Sequence, residues 1–289
     1  MVGLALSPEL VDWAATALGW RPEQVQDESW DHAESAVARL IAPDGRAAYL
    51  KAHRQPRKLR QERAALERWA PALPGTPRLL TARDEEPAAL LLSARSGVRV
   101  DAATWDAETA RAIQRAAGAW LRRLHGLPHV DDDPLTPAAA LQRRHDAWAQ
   151  RAAGHLPAAT LAWVAEQLQG ADLGTLRRVP CHRDFGPRNW LWDEHDGLSV
   201  IDFEHARPDL WWVDVQRLVD EAWLADPGLE GAFWRGYGRQ PTADERALGQ
   251  ALSALYAVGT VVWAVEHGDD AFEALGRSVL RRLRAPGAS

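Results

Sequence analysis

Cys181-His182-Arg183-Asp184-Phe185-Gly186-Pro187-Arg188-Asn189, followed shortly by Val200-Ile201-Asp202-Phe203-Glu204, decides how this 289-residue chain reads. Phosphoryl transfer asks a protein for little covalent chemistry; it asks for a positioned hydroxyl, a held Mg²⁺ and neutralised phosphate charge. Asp184 on a tight loop is placed to receive the hydroxyl proton. Asn189, five positions on, can turn an amide oxygen towards the metal. Asp202 follows the apolar run Leu198-Ser199-Val200-Ile201, which reads as a short buried strand, so its carboxylate emerges at a strand end beside the loop. Magnesium takes few protein oxygens and leaves the rest to phosphate and water. Taken singly, each residue is an ordinary polar turn residue. The whole spaced set points to a site.

On these motifs the chain resembles the aminoglycoside phosphotransferase and choline kinase superfamily. Its members carry His-x-Asp, Asn five positions after the Asp, and Ile-Asp-Phe-Glu where protein kinases carry Asp-Phe-Gly; His182, Asp184, Asn189, Asp202 and Glu204 match from within a resemblance that starts near residue 30. The resemblance implies an α+β, two-lobed, protein-kinase-like fold. Residues 1–95 would form a small antiparallel-sheet lobe that binds nucleotide, and 96–289 a mainly helical lobe for catalysis and substrate. It implies ATP or GTP with Mg²⁺ as cofactors and direct transfer to a hydroxyl. His182 would brace the loop and Asp214 would anchor it. Backbone groups of Ser93, Ala94 and Arg95 would form the hinge that meets the adenine. The helices after Asp202 would line the acceptor pocket, with Trp211, Trp212, Asp220, Glu221, Trp223 and Glu266 as candidate contacts, and His267 and Asp269 beyond them. Carboxylates would suit a cationic aminoglycoside; tryptophans would suit a sugar face, a heterocycle or a quaternary amine.

The small lobe has its own internal signal. Among 34 basic residues only Lys51 and Lys58 are lysine, and a compact ammonium is not interchangeable with guanidinium. Lys51 follows an Asp44-Gly45 turn signal that joins strands at 37–41 and 47–52, the place where the kinase fold keeps its phosphate-binding lysine. Leu59, Glu62, Leu66 and Trp69 recur at helical spacing, so Glu62 interrupts an inward apolar stripe and is the expected partner of Lys51, whereas Glu67 falls off that face. Lys58 reads as an ordinary solvated lysine. Ser35 is either a phosphate donor in the flap 31–36 or a plain turn residue. Arg188 either opposes charge on the transferred group or makes a salt bridge.

Several classes recede. No Gly-x-Gly-x-x-Gly precedes Lys51 and no long activation segment follows Asp202, which argues against a protein kinase. A net charge of −6 argues against general nucleic-acid binding. The single cysteine, Cys181, excludes an internal disulfide and reads as a small buried hydrophobe. The histidines lack the short ligand spacing of a metallohydrolase. With no membrane span or signal core evident, a cytoplasmic enzyme is expected, monomeric or homodimeric, acting on a small hydroxyl compound. An antibiotic or other natural product is the leading acceptor; a metabolic alcohol such as choline or an amino sugar, or a non-catalytic nucleotide-binding scaffold, are the alternatives. Helices are expected at 8–18, 107–124, and about 136–153, 157–169, 211–225, 243–266 and 270–284, with a strand at 88–93.

Overall fold

The structure, a computed structural model, describes residues 6–29, 35–170 and 176–285. Helix α1 (Pro8–Leu18) starts where the Ser7 hydroxyl accepts the Leu10 N–H, and stops at Gly19 in the left-handed region. Strands β1 (Gln24–Asp27), β2 (Ser35–Ile41) and β3 (Ala47–His53) lead to α2 (Pro56–Arg68), then β4 (Leu79–Arg83) and β5 (Ala89–Ser93). The five strands form an antiparallel sheet in the order β1-β2-β3-β5-β4. Alternation sorts its side chains between two faces. Ala38, Leu40, Ala48, Leu50 and Leu91 pack on Leu10 and Ala14 of α1, while Leu90 and Leu92 join Leu59 and Leu66 of α2. Lys51, one residue out of step with Leu50, therefore points to the α2 side.

Beyond Ser93 the elements are β6 (Val98–Arg99), α3 (Ala107–His125), α4 (Pro137–Ala152), α5 (Ala158–Gly170), β7 (Val179–Cys181), β8 (Trp190–Asp193), β9 (Gly197–Val200) and β10 (Arg207–Asp209). Two small sheets, β6-β8-β9 and β10-β7, present the two motifs side by side. Then come a 3-10 turn (Trp211–Asp214), a π-helical segment (Leu218–Ala222), α6 (Trp223–Ala225), α7 (Pro227–Tyr237), α8 (Ala243–His267) and α9 (Asp270–Arg284).

The continuous helix expected over 211–225 is corrected. Val215 N–H bonds the Trp212 carbonyl and Leu218 N–H bonds that of Val215, tight i,i+3 turns that swing Asp214 towards the catalytic loop. Other expected helices agree within a residue or two at each end. Helices α3 and α7 meet at backbone contact: a Cβ on Gly118 would overlap the Phe233 carbonyl oxygen, and one on Gly236 that of Arg115. Helix α8 is long and apolar enough to cross a membrane, but 72% of its apolar window is buried. It is the core helix of the large lobe, packed against α4, α5 and α9.

Candidate active site

Lys51 sits on β3 opposite Val37 and Leu90, with its side chain directed across the gap between the lobes. Its ammonium lies 2.9 Å from Glu62 on α2, 2.6 Å from Asp202 and 3.3 Å from Glu204. Burial alone would push this ammonium towards neutrality, but the charges of Asp202, Glu62 and Glu204 outweigh it and hold it protonated. Burial likewise opposes the charge on Glu62, yet Lys51 and His53 keep its carboxyl below the usual range.

His53 and Lys58 were not anticipated. His53, two residues from Lys51 on the same strand face, is buried with Nε2 3.1 Å from Glu62 and 3.6 Å from Glu204. Lys58, expected to be solvated, turns inward instead, 3.4 Å from Glu204. It lies one turn before Glu62 on α2, so the same helix that delivers the carboxylate delivers a second ammonium to this cluster. The period-two spacing of Lys51 and His53 was the signal available for the histidine.

The catalytic loop is assembled by Asp214. One carboxylate oxygen accepts the His182 N–H at 3.0 Å and meets His125 Nε2 at 3.0 Å, while the other accepts the Arg183 N–H. His125 is held in turn by the Tyr237 hydroxyl at 2.9 Å. Arg183 takes a positive φ of 66°, and Asp202 one of 68°, so both motifs turn through backbone conformations that side chains other than glycine seldom adopt. His182 is buried, bonds the Ile201 carbonyl through Nε2 at 3.0 Å and lies 4.8 Å from the Phe203 ring, thereby linking the two motifs.

Asp184 is thus carried to the mouth of the gap, buried, with one oxygen accepting from Arg188 at 2.6 Å and from the Asn189 amide at 2.8 Å. Arg217 approaches its other oxygen at 3.6 Å. Burial would raise this carboxyl, but Arg217 and Arg188 outweigh it and hold it below the usual range. Of the two roles open to Arg188, the ion pair is the one drawn here. Asn189 donates through its amide nitrogen, leaving its amide oxygen without a hydrogen bond among the described residues. That oxygen and the Asp202 carboxylate are hard donors of the kind Mg²⁺ selects. The residues fit the ion.

At the other predicted positions the outcome is mixed. Ser93 exchanges hydrogen bonds with Arg78, its N–H reaching the Arg78 carbonyl and its hydroxyl accepting the Arg78 N–H. Arg95 bonds Ser199 of β9 at 3.3 Å, and Ala94 lies half-buried between them. Ser35 opens β2 opposite His53 and is buried, while residues 30–34 of the proposed flap lie outside the described residues.

A shallow, open cleft, lined among others by Arg217, Asp220, Glu221, Tyr256 and Phe272, adjoins a smaller one that reaches Asp184. Both share Gln216, Arg217 and Tyr256, so they run together. Asp220 and Glu221 lie on this cleft; Trp211, Trp212, Trp223 and Glu266 are not among its lining residues. Trp212 and Trp223 are buried, and Trp211 packs on Tyr237 and His125. The three rings support the Asp214 segment, because indoles of that size are best buried beneath it. Glu266 pairs with Arg151 on the exposed side, His267 stacks on Trp263, and Asp269 caps α9.

The model of a phosphotransferase enzyme family matches residues 8–251. The chain belongs to that family. It is a phosphotransferase acting on hydroxyl groups of small molecules. No curated protein matches it in sequence. Among solved structures it is similar to a thermostable mutant of aminoglycoside phosphotransferase APH(4)-Ia in ternary complex with ADP and hygromycin B, at 15% identity and a TM-score of 0.74, covering 96% of this chain and 99% of that one. It is also similar to macrolide 2'-phosphotransferase type I, at 20% identity and 0.66 over 96% and 98%, and to macrolide 2'-phosphotransferase MphH from Brachybacterium faecium, at 19% and 0.63 over 95% and 98%. At these identities the likeness establishes the two-lobed kinase-like fold.

Proposed function

We propose that this phosphotransferase moves the γ-phosphate of ATP or GTP directly to a hydroxyl of an antibiotic or other natural product, in the cytoplasm. The observation that carries this reading is Asp184: a carboxylate kept ionised, bonded to Asn189, at the inner end of a shallow cleft whose walls include Gln216, Arg217 and Tyr256. Relatives of the same fold support the acceptor class, since one is complexed with ADP and hygromycin B and others are macrolide 2'-phosphotransferases.

In this mechanism Asp184 accepts the proton of the acceptor hydroxyl as the hydroxyl oxygen attacks the γ-phosphorus in line, and the bond from that phosphorus to the β–γ bridging oxygen breaks on the opposite side to release the nucleoside diphosphate. Lys51, oriented by Glu62, contacts the nucleotide phosphates. Arg188, beside Asp184, opposes charge on the transferred group as it passes. Mg²⁺, held by Asp202 and Asn189, supplies charge neutralisation across the phosphates when bound. Asp214 and His182 keep the loop in place without touching substrate.

The test is Asp184→Ala, assayed by nucleotide-dependent mass gain across a mixed library of antibiotics and metabolites. Turnover should fall roughly 10²–10⁴-fold while nucleotide binding persists. Unchanged turnover would remove Asp184 from the mechanism.

A further inference from the structure

Two neighbouring residues of the acceptor cleft, Gln216 and Arg217, have hydrogen-bonding capacity to spare. Gln216 is buried, 3% exposed, and its amide oxygen Oε1 has no hydrogen-bond partner among the described residues. A buried acceptor left unpaired is costly, and such groups commonly find a partner in a ligand or an ordered water. Gln216 is among the lining residues of both parts of the cleft, and a small side-chain rotation is all that an entering molecule would need to meet its amide. Arg217 lines both parts too, and among the described residues its one carboxylate partner, Asp184, is at the long distance of 3.6 Å and is already engaged by Arg188 at 2.6 Å. The Arg217 guanidinium lies 5.9 Å from the Phe272 ring centre on the opposite wall, which steers it into the cleft.

The carboxylates of the cleft are largely spoken for. Asp220 is bridged to Arg282 of α9, and Asp184 is held by Arg188 and Arg217. Among the described residues Glu221 is the one cleft carboxylate without an ion pair. A polycation would meet one unpaired carboxylate and, beside the catalytic aspartate, a guanidinium of its own sign.

We infer that Gln216 and Arg217 form a recognition pair for the atoms flanking the reacting hydroxyl, and that the acceptor is sugar-like, with an uncharged group that both donates and accepts (a hydroxyl or an acylamino group), not ammonium, at the neighbouring position. A neighbouring hydroxyl satisfies both residues at once, donating to Gln216 Oε1 and accepting from Arg217. An ammonium there can serve Gln216 only by approaching Arg217. The remainder of the acceptor lies against the apolar wall of α8 and α9, where Ala257, Leu275 and Val279 line the cleft. The inference rests on the phosphotransferase reading and specifies its acceptor.

The experiment uses three probes that differ only at carbon 2: D-glucose, N-acetyl-D-glucosamine and D-glucosamine. Binding to the full chain is measured by ligand-observed NMR with Mg²⁺ and a non-hydrolysable ATP analogue present, so the readout does not depend on transfer. Glucosamine should bind roughly tenfold more weakly than the two uncharged probes, the scale of one hydrogen bond to a charged group. Gln216→Leu should weaken all three, and Arg217→Glu should reverse the order in favour of glucosamine, with circular dichroism confirming that each variant is folded. Equal binding of all three, preference for glucosamine in the wild type, an unchanged order in Arg217→Glu, or no binding of the uncharged probes overturns the inference. The expected order in a protein that transfers no phosphate would instead leave the recognition pair standing and remove the kinase reading.

Discussion

Replacing Lys51 by methionine keeps the length of the side chain and deletes its charge, and the surroundings make the cost calculable. The ammonium is 6% exposed and is shared by Glu62 at 1%, Glu204 at 14% and Asp202 at 28%. Removing one partner from a buried ion pair costs about 3–5 kcal/mol, because the remaining charge stays uncompensated. Lys58 still faces Glu204 at 3.4 Å, and Asp202 can turn to water, so Glu62 bears most of the loss. On the scale for domains of 150–250 residues this corresponds to a melting temperature lower by roughly 6–20 °C.

The pH dependence gives the sharper test of the same change. In the wild type Glu62 has a folded value below its reference of 4.5. The stability this represents is present above that reference and is lost only as pH falls through the depressed folded value. In Lys51→Met the buried carboxyl is left without its ammonium and takes up a proton at higher pH, which relieves the variant first. The gap between the two proteins should therefore narrow as pH is lowered from about 7.5 towards 5. Thermal melts across that range check it. A gap below about 1 kcal/mol at neutral pH, or one that does not change with pH, would refute the reasoning about a charge-locked cluster.

Asp202→Ala should weaken Mg-dependent nucleotide binding, and titration calorimetry with and without chelator would show whether the Mg²⁺ contribution has gone. Gly236→Ala should destabilise by roughly 1–3 kcal/mol, since its Cβ meets backbone that cannot swing aside; chemical denaturation measures this, and an unchanged midpoint would deny the close α3–α7 contact. Cys181 is buried, with burial first and then Asp214 pushing its thiol well above the ordinary value. A thiol-disulfide reagent should label it only after denaturation, and rapid labelling of the native protein would contradict that environment.

What could be read from the chain depended on whether a residue's role is local. Asp184, Asn189 and Asp202 stand at short spacings dictated by one loop and one strand end; the structure pairs Asp184 with Asn189 and Lys51 with Glu62 and Asp202, and the Ile201 N–H bonds the Asn189 carbonyl between them. The stripe containing Leu59, Glu62 and Leu66 was readable because a helix face repeats within four residues. Strands β1, β4, β6, β7, β8 and β10 were not identified, being short and stabilised by distant partners; β7, for instance, spans three residues and pairs with β10. The tryptophans misled for a physical reason: an indole suits a ligand and a core equally well, and only packing decides, as when Gly249 makes room for Trp212. Gln216 and Arg217 gave no motif at all. Their meaning comes from α8 and α9, which cross them from later in the chain.

Asp214 also sets an order of events during synthesis. Its carboxylate closes the catalytic loop from beyond both motifs in the chain, and His125, which braces it, is itself held by Tyr237 at the end of α7. A nascent chain that has exposed every residue of the two motifs still lacks the clamp that joins them until a further stretch has left the ribosome.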